Sequence, residues 1–294
     1  MELQTQVDEL REKGYGLAVI SYDPVASIAT FVEQQSITFP MLSDLGSETI
    51  RRYGLLNPVA EWAQGPNTDD PAVQADIATY VSVVNPSERM IGIAFPGTMM
   101  LDTDGRVTSR YFEDLYIERN TVSSIVMRLG DSMEAVAATR LSTGQLDLTT
   151  YASEPNVAVG NRFSIMLDVE PHAGMHVYAP GADSYRVIGL TVEPQPFVTL
   201  LPIEYPDSMM YYFEPFDENV PIYEQPFALV QEVIVGGDLP AQAAFRGQES
   251  LTINGSFEYQ ACSASVCYPP QAVDLSWTLP FRPLVFGPRR PQRR

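Results

Sequence analysis

The chain has 294 residues, 45% of them hydrophobic, and 37 acidic against 18 basic residues give it a net charge of −19. This length permits one large domain or two ordinary ones, each able to bury its own core. The negative charge repels phosphate backbones and argues against nucleic-acid partners. No apolar run approaches the roughly 18 residues that a membrane helix needs, so no membrane segment is predicted.

Residues 1 to about 130 alternate helical and strand patterns. "MELQTQVDELREKG" predicts a helix, "YGLAVISYD" a strand, and "DPVASIATFVEQQ" a second helix with Asp23 as its N-cap. "PGTMMLDTDGRVTSRYF" predicts two strands joined by a tight turn, and "ERNTVSSIVMRLG" predicts a closing helix. The segment from about 55 to 90 exceeds a usual connection and is interpreted as a partly helical insertion. This order predicts an α/β domain whose first strand is missing.

The pattern changes after a linker predicted at residues 131–156. Short runs such as "RFSIMLDVEP", "FALVQEVIV" and "SLTINGSFEYQ" are separated by Pro, Gly, Asp and Asn, and no helix is predicted among them. Such strands predict an all-β, immunoglobulin-like antiparallel sandwich over residues 157–283. The Pro- and Arg-rich end, residues 284–294, is predicted to be a solvated basic tail.

The first half carries motifs that are similar to those of a known family. "AVISYDP", "FVEQQSITFPMLSD", "IRRYGL" and "FPGTMMLDTDGRV" resemble the thioredoxin-like redoxins of the peroxiredoxin (AhpC/TSA) antioxidant family. The resemblance implies a thioredoxin-like fold and places Pro96 where that family has the cis-proline beside its redox site.

The first half also departs from that family. Such redoxins carry a reactive cysteine at the N-terminus of the first helix, where the helix dipole lowers the thiol pKa. This chain begins inside that helix and has no cysteine before Cys262. We expect the first strand and the catalytic cysteine to precede Met1 in a longer product; the alternative is a half that has lost its chemistry.

Cys262 and Cys267, in "EYQACSASVCYPP", are the only cysteines, and three roles are open to them. As a structural staple they would close a loop of about six residues, which removes only about 2 kcal/mol of unfolded-chain entropy. As metal ligands they would need His172 and His176, and such a set would suit zinc or copper. Ordinary strand-edge histidines are favoured instead, so neither a metal nor another cofactor is expected.

The third role is thiol–disulfide exchange, because cysteines five positions apart can meet across a turn. No Lys, Arg or His lies near them in the sequence. A thiol with the ordinary pKa near 8.5 is only about 3% thiolate at pH 7. The pair would therefore exchange readily only with a docked and well-aligned protein partner.

A second resemblance covers about residues 157–283. "EYQACSASVCYPPQAVDLSWTLP", "MLDVEPHAGMHVYAPG" and "PFDENVPIYEQPF" are similar to the periplasmic N-terminal domain of the disulfide reductase DsbD family, although the spacer between the cysteines is one residue shorter. The resemblance implies that Cys267 attacks and that Phe216 caps the pair, with a place in the core as the alternative for Phe216. Tyr259 and Tyr268 are expected to wall the site, with ordinary strand packing as their alternative, and neither is predicted to be catalytic. It also implies a thioredoxin-like or other disulfide-exchanging partner in the bacterial periplasm or another extracytoplasmic space, with the cytoplasm as the alternative.

These observations predict a redoxin-type thiol–disulfide oxidoreductase that works through Cys262 and Cys267. The alternatives are a non-catalytic binding module with a structural disulfide, and a copper- or zinc-binding domain.

Overall fold

A computed structural model describes residues 2–65, 69–83, 87–112, 119–128, 138–203, 205–214 and 217–282. The chain forms two compact units, Met1–Val122 and Ser123–Arg294. The first is mixed α/β and the second is mostly β, as the sequence predicts. No helix in these ranges is both long and apolar enough to span a bilayer.

The first unit contains short helices and strands in the predicted order. Its elements are α1 (Glu2–Glu12), β1 (Val19–Ser21), α2 (Val25–Gln35), β2 (Met41–Ser43), α3 (Glu48–Arg52), α4 (Val59–Trp62), α5 (Pro71–Val83), a 3₁₀ turn (Glu88–Met90), β3 (Gly97–Leu101), β4 (Val107–Phe112) and β5 (Arg119–Asn120). β1 pairs in parallel with β2, and β3 forms an antiparallel hairpin with β4. Within the described ranges these are two separate two-stranded sheets.

Among its described residues, two apolar clusters contribute to the core of this unit. The helical spacing of α1 buries Val7, which packs with Ile37 and Phe39 beside the β1–β2 pair. The predicted insertion is partly helical, and its Tyr80 packs with Val59 in a second cluster that also includes Ile93, with Tyr22 packed against it. The insertion therefore packs against neighbouring parts of the same unit; its residues 66–68 and 84–86 lie outside the described ranges.

The start of α2 differs from the prediction by one residue. Pro24 occupies the N-cap position and no side chain caps the helix. Asp23 instead accepts a hydrogen bond from the Ser21 hydroxyl at 2.6 Å. Its carboxylate is therefore engaged by the strand end that precedes it.

Pro96 also differs from the expectation. Among the described residues no peptide bond is cis, so the bond between Phe95 and Pro96 is trans. An X–Pro bond favours trans by about 0.5–1 kcal/mol unless packing selects the cis isomer. Because the chain has no cysteine before Cys262, Pro96 also has no thiol beside it within its own unit.

The second unit is built almost entirely from strands. Its elements are α6 (Val122–Arg128), β6 (Thr139–Ser142), β7 (Leu146–Ala152), β8 (Asn161–Pro171), β9 (His176–Tyr178), β10 (Gly189–Val192), β11 (Val198–Leu200), β12 (Met209–Phe213), β13 (Glu218–Tyr223), β14 (Phe227–Val235), α7 (Leu239–Ala244), β15 (Ser250–Tyr259), β16 (Ala261–Cys262) and β17 (Gln271–Pro280).

The described strands of this unit form three sheets around its core. The strand orders are β11-β14-β8-β7-β6, β10-β15-β17 and β12-β13-β9-β16. Alternate residues of β7 and β14 point inward and pack against those of β15 and β17, which makes one large apolar cluster. The indole N–H of Trp277 donates to the Thr150 hydroxyl at 2.9 Å and so joins β17 to β7 inside this core.

The linker predicted at 131–156 is wrong over much of its length. β6 and β7 lie within it, and residues 131–137 and the tail after 282 are outside the described ranges. Thr150 occupies an inward position of β7, so the apolar alternation that marks a strand was weakened in the sequence. The closing helix α6 also belongs mainly to this unit, where the hydroxyls of Ser124 and Ser164 lie 2.6 Å apart.

The expectation of no helix in the second half is wrong at α7. The Asp238 carboxylate accepts from Ala241 N at 2.8 Å and caps this helix. Six residues are too few to display a helical period, so the cap was the available signal.

Candidate functional site

The cysteine pair lies where the chain crosses from one sheet to another. β15 pairs with β17, and after Gln260 the chain joins β9 through β16. The Gln260 side chain accepts from Arg186 N at 2.9 Å and donates to Tyr268 O at 3.2 Å. These two bonds fix the crossing point and therefore the position of Cys262.

A hydrogen-bonded turn brings the two cysteines together. Ser263 N donates to Val266 O at 2.8 Å, and the Ser263 hydroxyl accepts from Val266 N at 3.0 Å. Tyr268 N donates to Ala261 O at 2.9 Å and closes the hairpin below them. Cys262 and Cys267 form a disulfide, with their Cα atoms 4.1 Å apart. The two cysteines therefore meet across a turn, as their spacing in the sequence allows.

The two cysteines differ sharply in solvent exposure. Cys262 is only 1% exposed and belongs to a small apolar cluster with Tyr178, Val220 and Ile222. Cys267 lies on the exposed side of the turn, next to Val266, which is also exposed. A molecule that approaches from solvent therefore meets Cys267 first.

Tyr178 contacts both sulfurs. Its hydroxyl lies 3.0 Å from Cys262 Sγ and 3.6 Å from Cys267 Sγ. A disulfide has no proton to give, so the phenol, with its single proton, is the donor in the shorter contact, to Cys262 Sγ. The Tyr178 ring stacks on Tyr185 with centroids 3.9 Å apart, and the Tyr185 hydroxyl donates to the Glu218 carboxylate.

Burial keeps both phenols protonated. It is the main cause that raises the pKa of Tyr178 well above 10, with the neighbouring Tyr185 and Glu218 adding to the effect. Burial and the Glu218 carboxylate raise the pKa of Tyr185 to about 12. Tyr178 is therefore a hydrogen-bond donor at every physiological pH.

His176 lies directly opposite Cys262 on the paired strand. It is buried, and its ring packs against Tyr178 and Tyr211 with centroid distances of 5.6 and 5.0 Å. Burial lowers the pKa of His176, and the charge of Glu224 opposes that shift only in part. The imidazole is therefore neutral at pH 7 and supplies no positive charge to a thiolate.

The other histidine has different surroundings. His172 Nε2 lies 3.2 Å from Asp147 Oδ1, and its Nδ1 lies 3.3 Å from Gly144 O. The Ser142 hydroxyl and then His172 lower the pKa of Asp147 by hydrogen bonding. In the described part of the chain, no three His, Cys, Asp or Glu side chains are grouped so as to hold a metal ion.

The predicted wall residues have different outcomes. Phe216 lies outside the described residues. Tyr259 does not wall the site, because it faces the core between the sheets and its hydroxyl donates to Thr143 Oγ1 at 2.9 Å. Tyr268 is partly buried beside the pair and donates its backbone N–H to the hairpin.

Sequence reasoning missed the residues that do line the pair: His176, Tyr178, Tyr185 and Tyr211. The alternation in "MHVY" placed His176 and Tyr178 on one face of a strand. Nothing in the sequence indicated that this face would lie against Cys262.

Comparison with known proteins agrees with this two-part organisation. Residues 1–110 match the AhpC/TSA family, and residues 148–277 match the N-terminal domain of the thiol:disulfide interchange protein DsbD. Both resemblances are confirmed, and with them the fold class of a thioredoxin-like domain followed by an immunoglobulin-like sandwich.

Several solved structures are similar to part of the chain. Among them is the N-terminal periplasmic domain of ScsB from Proteus mirabilis, at 14% identity and a TM-score of 0.35. The similarity covers 48% of this chain and 49% of that one, so the chain spans about half the length of that protein. A search of curated proteins found no match.

Proposed function

We propose that this protein is a thiol–disulfide oxidoreductase that exchanges electrons with a protein partner through Cys262 and Cys267. The observation that carries the proposal is the unequal exposure of the two sulfur-bearing residues, with Cys267 at the surface and Cys262 buried. An exchange reaction needs one sulfur that a partner can reach and one that resolves the intermediate. The matches of both halves to thiol-based families support the same reaction class.

Reduction of the pair proceeds in two displacements. A partner thiolate attacks Cys267 Sγ, the intramolecular S–S bond breaks, and its electron pair leaves on Cys262 as a thiolate. The second partner thiol, as its thiolate, attacks its own mixed-disulfide sulfur and releases Cys267. Two electrons and two protons move from the partner dithiol to this pair. In the reverse direction Cys267 attacks a partner disulfide and Cys262 resolves it.

The proposed partner is a thioredoxin-like or other disulfide-exchanging protein, and the proposed location is extracytoplasmic, in the bacterial periplasm. The match to the N-terminal domain of DsbD and the disulfide itself, which persists in oxidising compartments, support both assignments. Phe216 retains its proposed role as the cap on the resemblance alone. No peroxide step is assigned to this chain, because residues 1–261 contain no cysteine.

A trapping experiment tests the division of labour between the thiols. Cys262→Ser leaves Cys267 free to attack and removes the resolving thiol, so it should accumulate a mixed disulfide with an oxidised thioredoxin-like protein. The matched control is Cys267→Ser, whose buried Cys262 should form far less adduct. Equal adduct from both variants would contradict the proposed roles.

Redox titration against glutathione separates exchange from a structural disulfide. A potential above about −300 mV is expected for an exchanging pair. A lower potential would favour the binding module with an inert bridge. Metal analysis of the reduced, purified protein tests the copper or zinc alternative directly.

A further inference from the structure

We infer that the Tyr178 hydroxyl is a catalytic hydrogen-bond donor that stabilises the buried Cys262 thiolate when the disulfide opens. This inference rests on the proposed exchange function and adds to it a residue that acts on the sulfurs themselves. The inference concerns Cys262, whose sulfur leaves when the disulfide opens. The proposed function concerns the exposure of Cys267, whose sulfur the partner attacks.

The geometry favours Cys262 as the recipient of this hydrogen bond. The phenolic oxygen is 3.0 Å from Cys262 Sγ and 3.6 Å from Cys267 Sγ, so it lies on the side of the sulfur that departs. Stacking on Tyr185 holds the ring, and Tyr185 is itself tied to Glu218. The donor is therefore in position before the bond breaks and needs no rearrangement at that moment.

The need for such a donor follows from burial. Cys262 is 1% exposed, so water cannot solvate a negative charge that forms on its sulfur. Its cross-strand neighbour His176 is neutral at pH 7 because burial lowers its pKa. Among the described contacts of Cys262 Sγ, the hydrogen-bond donor is the Tyr178 hydroxyl.

The phenol acts by hydrogen bonding and not by giving up its proton. Burial raises the pKa of Tyr178 above the ordinary value of 10, so the phenol keeps its proton at physiological pH. The proton stays on oxygen, and the negative charge that forms when the disulfide opens stays on Cys262 Sγ.

The test is Tyr178→Phe, which keeps the stacked ring and removes only the hydroxyl. A matched control is Tyr223→Phe, since that hydroxyl donates to Pro206 O at 2.7 Å and Tyr223 belongs to the inter-sheet core. Loss of one charge-assisted hydrogen bond should raise the pKa of the Cys262 thiol by about 1–2 units, measured as thiolate absorbance in a Cys267→Ser background. A poorer leaving group should also slow reduction of the Tyr178→Phe disulfide by dithiothreitol by about 3- to 10-fold.

Tyr223→Phe should leave both quantities within twofold of the parent chain. An unchanged Cys262 pKa and an unchanged reduction rate in folded Tyr178→Phe would overturn the inference while leaving the exchange function intact. If no physiological redox potential reduces the disulfide of the parent chain, the proposed exchange function is wrong. The small dithiol keeps the two failures distinct, because it needs no docking surface.

A second measurement covers the case in which Tyr178→Phe does not fold. In reduced parent chain with ¹³C-labelled tyrosine rings, the Tyr178 Cζ resonance should titrate with the pKa of Cys262. The Tyr223 resonance should not follow it. A Tyr178 resonance that is indifferent to Cys262 ionisation would overturn the inference.

Discussion

Reduction of the Cys262–Cys267 disulfide should destabilise the second unit only slightly. The bridge closes a loop of six residues, counted from Cys262 to Cys267 inclusive. Opening such a loop returns about 2 kcal/mol of conformational freedom to the unfolded chain. The turn bonds of Ser263 and the closing bond of Tyr268 do not involve sulfur, so we expect them to persist in the reduced state.

Tryptophan fluorescence makes this loss measurable. The chain has two tryptophans, and Trp277 is buried in the core of the second unit. In a Trp62→Phe variant, Trp277 is the sole reporter of that unit. Urea unfolding with and without dithiothreitol should give free energies of unfolding that differ by about 2 kcal/mol with an unchanged m-value.

A Cys262→Ala/Cys267→Ala chain in the same background should show no response to dithiothreitol. A loss above about 4 kcal/mol on reduction, or a reduced chain without a cooperative transition, would show that the bridge determines the fold. Cys262 and Cys267 could then not serve as an exchanging pair, since each catalytic cycle would unfold the unit.

Three further outcomes are expected for the second unit. Thr150→Val leaves the buried Trp277 indole N–H unpaired and should cost about 1–3 kcal/mol in urea unfolding; a neutral result would contradict the assigned hydrogen bond. Because burial lowers the pKa of His176 in the folded chain, the unfolded chain binds a proton there more readily, and the free energy of unfolding should fall as pH drops below 6.5. His176→Phe should reduce this dependence of the free energy of unfolding on pH, and an unchanged dependence would refute the assignment. Gly255→Ala puts a Cβ 2.5 Å from a backbone carbonyl oxygen and should lower the free energy of unfolding by about 1–3 kcal/mol. Gly189→Ala on the paired strand meets nothing within 4 Å and should lower it less, so equal losses would contradict the packing.

Much of the fold could be predicted because its signals are local. The apolar spacing around Val7 predicted α1, and the alternation in "FALVQEVIV" predicted β14. The boundary between the halves was misplaced because β6 and β7 carry Thr and Asp among their apolar residues. α7 was too short to display a period.

The candidate site was predictable only in part, since it combines a local motif with distant strands. The cysteine spacing and the Tyr-Pro-Pro that follows were visible, and so was the turn between them. The placement of His176 and Tyr178 depends on the pairing of β9 with β16, which no local pattern specifies. The same pairing decides which tyrosines contact sulfur and which, like Tyr259, belong to the core.

The internally bonded turn has a consequence for how long a partner stays attached. Because Ser263 and Val266 keep the chain folded back, the Cys262 and Cys267 side chains remain neighbours even when no bond joins them. Their mutual effective concentration then greatly exceeds that of any thiol in solution, so ring closure outcompetes bimolecular capture. A covalent complex through Cys267 should accordingly have a short residence time, set by this chain's geometry more than by the chemistry of its partner.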